Sequence, residues 1–141
     1  MAVTPRYIAD KSALARLRHP QVSAALAPLI LAGEVATCSV IELEILYSAR
    51  GHHDLVNTRA TRARAFPHIP MTQADFDRAI DVMEELARRG HHRAVGLPDL
   101  LIAAVAEREH LTVLHYDADY DFVATVTGQP MQWVVPRGSV P

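Results

Sequence analysis

Thr112-Val113-Leu114-His115-Tyr116-Asp117-Ala118-Asp119 reads as a buried strand running straight into two acids and a helix. A short apolar, β-branched run of this kind suits a strand covered on both faces. The spacing predicts a helix from about Asp119 to Thr127. The same punctuation occurs twice before it. Arg6-Tyr7-Ile8-Ala9 is a strand ended by Asp10, and Val35-Ala36-Thr37-Cys38 is a strand followed by Ser39-Val40-Ile41-Glu42 at a helix start. Strands alternating with helices predict an α/β fold with a mostly parallel central sheet and helices on both faces.

The other elements fit that frame. Lys11–Leu17 reads as helical, and Pro20 suits the first turn of a helix that Gly33 ends after Ala32. Ser39 is placed as N-cap of a helix to about Ala49, with Glu42 completing a capping box. Asp54 caps a helix to Ala65, and Phe66-Pro67-His68-Ile69-Pro70 is extended. Thr72 opens the most regular amphipathic helix, with Phe76, Ala79, Ile80, Met83, Leu86 and Ala87 at helical spacing before Gly90. Pro98 starts a helix to Glu109, and Gln132-Trp133-Val134-Val135 is the last strand. Residues 1–135 are read as one domain, and 136–141 as a loose tail.

Composition sets wide bounds. With 141 residues, 50% hydrophobic and 21% charged, the chain resembles an ordinary globular domain. A net charge of −2 neither advertises nor forbids nucleic acid, because local distribution matters more than the sum. The single cysteine, Cys38, has no partner for an internal disulfide, so a cytoplasmic protein is expected. The apolar run Ala24–Ala32 is too short to span a bilayer, and no membrane partner is expected. Neither G-x-G-x-x-G nor a P-loop occurs, which disfavours dinucleotide and NTP binding.

Chemistry is carried by acids at separate junctions: Asp10, Glu42, Asp99 and the pair Asp117/Asp119. Singly, each has a capping, dipole or turn role that suffices. In a parallel sheet, however, strand carboxyl ends and helix amino ends share one edge, so acids distant in sequence gather there. Gathered carboxylates need a positive partner, and oxygen-only ligands suit Mg²⁺, with Mn²⁺ as a substitute. Such a site points to metal-dependent phosphodiester chemistry.

The strings Tyr7-Ile8-Ala9-Asp10-Lys11-Ser12-Ala13-Leu14, Ser39-Val40-Ile41-Glu42, Leu97-Pro98-Asp99-Leu100-Leu101-Ile102-Ala103-Ala104 and His115-Tyr116-Asp117-Ala118-Asp119-Tyr120-Asp121 sharpen this expectation. Together they resemble the PIN-domain ribonucleases, and in particular the VapC-type toxins of type II toxin–antitoxin modules. The resemblance implies a PIN-like fold and a Mg²⁺-dependent endoribonuclease that blocks translation and growth until a cognate antitoxin neutralises it. It implies Asp10, Glu42, Asp99 and Asp117 as the acidic quartet, with Asp10, Asp99 and Asp117 on the metal and Asp119 accessory. Homodimers and toxin–antitoxin hetero-oligomers are further implications. Tyr120 stands where the family commonly has Phe, a change expected to preserve packing.

Ser12 and Ser39 are accessory candidates that orient carboxylates or water. Lys11 is weighed as a phosphate contact against an exposed helix-start lysine. Glu44 lies two residues from Glu42, on nearly the opposite helix face, and is placed outside the site. Eight histidines, including His52-His53 and His91-His92, lack the cysteine partners and spacing of structural zinc sites. Arg88, Arg89, His91, His92 and Arg93, like Arg59, Arg62 and Arg64, read as solvated basic faces, with RNA backbone contact the sharper alternative. Leu14, Leu17, Leu26, Leu29, Ile30 and Leu31 are mainly core; by resemblance, such a surface receives an antitoxin segment. Two rival functions stay open: a non-catalytic RNA-binding module, and a metal-dependent DNA nuclease or phosphatase on the same acids.

Overall fold

The computed structural model describes residues 4–141. The elements run β1 (Tyr7–Ala9), α1 (Lys11–Leu14), α2 (Pro20–Leu31), β2 (Val35–Ala36), α3 (Ser39–Tyr47) and α4 (His52–Ala65). They continue with α5 (Gln73–Arg88), α6 (Leu97–Glu109), β3 (Thr112–His115), α7 (Asp119–Thr127) and β4 (Met131–Trp133). The four strands form one parallel sheet in the order β2-β1-β3-β4. Ile8 pairs with Ala36 on one side and Val113 on the other, so β1 and β3 are central.

Both sheet faces are covered, and the strand residues alternate between them. Ile8, Ala36 and Val113 pack with Ile41, Ile102, Val105 and Tyr120, under α3, α6 and α7. Ala9, Val35 and Leu114 pack the opposite way, with Ala13, Val22 and Leu26 from α1 and α2. The amphipathic α5 sits outside, its Ala79, Val82 and Leu86 against Leu100 and Ala103 of α6 and Val123 of α7. Gly90, at φ 76°, ends α5 and lets His91 N–H reach back to Leu86 O at 2.8 Å. At the other end of α5, Asp75 is buried; it accepts from Thr72 N–H at 2.8 Å and from Arg108 Nε at 2.8 Å.

Several boundaries differ from expectation for local reasons. β2 stops at Ala36, and Thr37 instead makes an isolated parallel bridge with His68. Ser39 is the first helical residue and Cys38 the cap, so the expected Ser39–Glu42 capping box does not form. α4 starts at His52, and Asp54 accepts from Arg50 N–H at 2.9 Å in its first turn. The expected loose tail is docked. Val140 is buried among α1 and α2 residues, and Tyr116 Oη donates to Val140 O at 2.8 Å while accepting from Gly138 N–H at 2.8 Å. Among the described residues, no helix is long and apolar enough to cross a membrane.

Candidate active site

The sheet's carboxyl edge gathers acids from four segments. Asp10 follows β1, and its backbone N–H donates to Leu114 O of β3 at 2.9 Å, locking the two central strand ends together. Its Oδ2 accepts from Ser12 N–H at 3.0 Å, capping α1. Asp117 follows β3 and folds into a tight turn, its Oδ1 accepting from Asp119 N–H at 2.9 Å. Asp99 stands in the first turn of α6, just after Pro98, and lines the pocket at the sheet edge. Asp119 ties α7 to this point, its Oδ2 accepting from Gly96 N–H at 3.2 Å. Asp10, Asp99, Asp117 and Glu44 line one pocket of about 370 Å³, together with Lys11 and Arg16.

The pocket is electrostatically unfinished. Carboxylate oxygens of Asp99, Asp117 and Asp119 all lie within 4.8 Å of one another. Asp10 is only 4% exposed, yet its Oδ1 has no hydrogen-bond partner among the described residues. Burial, followed by the charge of Asp10, a hydrogen bond with Asp119 and the charge of Asp117, pushes Asp99 up to about 8. Glu44 is also raised, first by burial and then by Asp10, and its Oε1 likewise lacks a partner among the described residues. Crowded oxygens, an orphaned buried carboxylate atom and no nitrogen or sulfur donor fit a hard divalent cation.

Glu42 is corrected by its surroundings. It faces the other side of α3 and lines a cavity of about 710 Å³ with Ser39, Arg59, Arg62, Phe66 and His68. Arg62 grips it with two hydrogen bonds, Nε to Oε1 and Nη2 to Oε2, both 2.8 Å, and Thr37 Oγ1 adds a third at 2.5 Å. Burial opposes its charge, but Arg62 and Thr37 prevail and hold the carboxyl below its ordinary range. Ser39 goes with it, its Oγ 3.4 Å from His68 Nε2 rather than beside the acids. Glu44, placed outside the site on the sequence, takes the position expected of Glu42. Residues two apart do point in nearly opposite directions on a helix. The sequence left open which direction met the sheet edge. Ile41 is buried and Ile45 packs beside the same core, but Glu42 and Glu44 flank that stripe equally on its two sides, so the sequence held no signal that separated them.

The accessory residues resolve individually. Ser12 lines the pocket, but its Oγ accepts from Tyr116 N–H at 2.8 Å, fastening α1 to the end of β3. Lys11 Nζ donates to Ser48 Oγ at 3.1 Å and to Glu44 O at 3.4 Å. Tyr120 is more than a packing substitute for Phe. Fully buried, it donates its hydroxyl to Asp99 Oδ1 at 3.1 Å. Burial, then the charges of Asp10 and Asp99, raise the phenol well above its usual range, so it remains a donor. Tyr120→Phe should therefore leave Asp99 with a more raised pKa and shift the pH midpoint of divalent-cation binding upward. Isothermal titration with Mn²⁺ across pH 6–9 would show it; an unmoved midpoint would reduce the hydroxyl to packing.

A family model for the PIN domain matches residues 7–126. The chain belongs to the PIN-domain family. Among curated relatives of this PIN domain, Ribonuclease VapC51 of Mycobacterium tuberculosis is 43% identical over 135 residues, covering 96% of this chain and 97% of the relative. Ribonuclease VapC21 of the same species is 39% identical over 137 residues, covering 97% and 99% of the two chains. The solved VapBC2 of Rickettsia felis, bound to a DNA fragment from its promoter, shares the fold at a TM-score of 0.72, with 17% identity and coverage of 93% and 99%. DNA-bound VapBC from Salmonella typhimurium does so at 0.73, with 15% identity, covering 93% of this chain and 99% of its own.

Proposed function

We propose that this PIN domain is a Mg²⁺-dependent endoribonuclease, the toxin of a toxin–antitoxin pair, and that it hydrolyses RNA in the cytoplasm to stop translation. The observation that carries this reading is the convergence of Asp10, Glu44, Asp99 and Asp117 on one pocket in which buried carboxylate oxygens are left without a hydrogen-bond partner among the described residues. The resemblance of the whole chain to proteins named VapC ribonucleases supports the substrate. The fold shared with VapBC assemblies supports an antitoxin partner, and a homodimer is the self-association to look for.

In this mechanism Asp10, Asp99 and Asp117 would hold a divalent cation, with Asp119 steadying the α6–α7 junction. Once bound, the cation would supply an acidified water at neutral pH and offset charge on the scissile phosphate. Asp10 is aimed by the Ser12 amide, and Asp99 is aimed by the Tyr120 hydroxyl, whose hydrogen bond favours the charged carboxylate. Glu44, with its raised proton affinity and unpartnered Oε1, takes the proton released by the attacking water.

The test uses the protein freed of any partner and a structured RNA. Cleavage should require Mg²⁺, stop with EDTA and return with Mn²⁺. Cleavage persisting in EDTA would sink the metal mechanism, and RNA binding with no cleavage under any metal would favour a binding module. A parallel single-stranded DNA substrate, if cut as fast, would move the activity to DNA.

A further inference from the structure

Arg16 lines the acidic pocket, yet it does not pair with any of the pocket's carboxylates. Its guanidinium is instead fixed by main-chain oxygens and an aromatic ring. Nη1 donates to Ser12 O at 2.7 Å, Nε donates to Pro141 O at 3.0 Å, and Cζ lies over the Tyr116 ring, 4.5 Å from its centroid. The Tyr116 hydroxyl in turn holds the 138–140 backbone, so the docked final segment braces the arginine from the far side. A guanidinium free to move beside several carboxylates would fold onto them and cancel their charge. Tethered this way, it keeps three further N–H donors at the pocket rim, since five are available and two are used.

From this we infer that Arg16 is a substrate-binding residue that holds an RNA phosphate at the edge of the acidic pocket. The inference rests on the nuclease reading above and deepens it. Acids facing a polyanion repel it, so a cation that can reach phosphate without neutralising the acids separates substrate capture from metal capture. Guanidinium suits this better than ammonium because its planar fork matches phosphate oxygens while its face stays stacked on the tyrosine. Residues 136–141 thereby become a positioning strap for the site.

Arg16→Ala and Arg16→Lys would be compared with wild type, using a short fluorescent single-stranded RNA with Ca²⁺ present, and separately using Mn²⁺ alone in isothermal titration. Arg16→Ala should bind the RNA ~10-fold more weakly, with the slope of log affinity against log salt reduced by about one phosphate contact. Arg16→Lys should keep the salt slope but lose about 3-fold in affinity, because charge survives while fork and stack do not. Mn²⁺ affinity should stay within ~2-fold of wild type in both. RNA affinity and salt slope equal to wild type in Arg16→Ala would overturn the inference, as would a parallel loss of Mn²⁺ binding, which would mark a structural role. A wild type that binds RNA through Arg16 but takes up no Mn²⁺ and cuts nothing would overturn the nuclease reading and leave the phosphate site standing.

Discussion

Asp99→Asn should abolish divalent-cation binding and RNA cleavage while making the metal-free protein more stable than wild type at pH 8. Asp99 is half-buried beside Asp10 and Asp117, and folding raises its proton affinity to about 8. For such a group the sign is fixed. Its contribution to stability is fully present below the unfolded value of about 4, and it is lost as pH rises through the folded value near 8. Metal-free wild type should therefore melt at progressively lower temperature between about pH 5 and pH 8, by roughly 2–4 kcal/mol in all. Asp99→Asn cannot acquire the charge, so its melting temperature should fall much less over that range. Mg²⁺ should restore wild-type stability at pH 8 by binding only the folded chain, and should do nothing for the variant. Thermal melts at several pH values, with and without Mg²⁺, check all three statements. A wild type whose metal-free stability rises from pH 5 to 8 would mean that the acids are not crowded.

The second large effect separates two glutamates that the sequence confused. Glu44→Gln should lower cleavage by about 10²–10³-fold, the usual worth of a positioned proton acceptor, with no loss of stability. Glu44 is raised by burial and by Asp10, so removing its charge relieves repulsion rather than breaking a bond. Glu42→Ala should do the reverse. It strands Arg62, which is only 8% exposed, and should destabilise the fold by about 2 kcal/mol while Mn²⁺ affinity holds. Activity assays beside urea melts on both variants decide it. If Glu42→Ala lost metal binding at full stability and Glu44→Gln retained cleavage, the assignment would return to Glu42.

Much of this was readable in the one-dimensional chain. The short apolar runs Tyr7–Ala9 and Thr112–His115 are strands because they are buried on both faces, and both end in acids because the sheet edge leaves the core there. Pro98 and Asp99 start α6 as proline geometry and the helix dipole favour. Asp10, Asp99 and Asp117 could be brought together by topology alone, since a parallel sheet delivers every strand's carboxyl end to one side. Other features were hidden because they depend on partners far away in sequence. Arg62 claims Glu42 across 20 residues, and the segment around Val140 docks on Tyr116 across 24. Tyr120 reaches Asp99 across 21.

What the sequence determined by itself was the alternation of strand, acid and helix, and with it the parallel sheet and the three aspartates at its edge. These follow from local periodicity and from a topological rule that needs no side-chain positions. Only the tertiary structure decided which face of α3 meets that edge, and so whether Glu42 or Glu44 joins the aspartates. A helix can be rotated about its axis without changing its own sequence pattern. Its rotation is set by Ile41 in the core on one side and Arg62 waiting on another, and those positions exist only once the chain has folded.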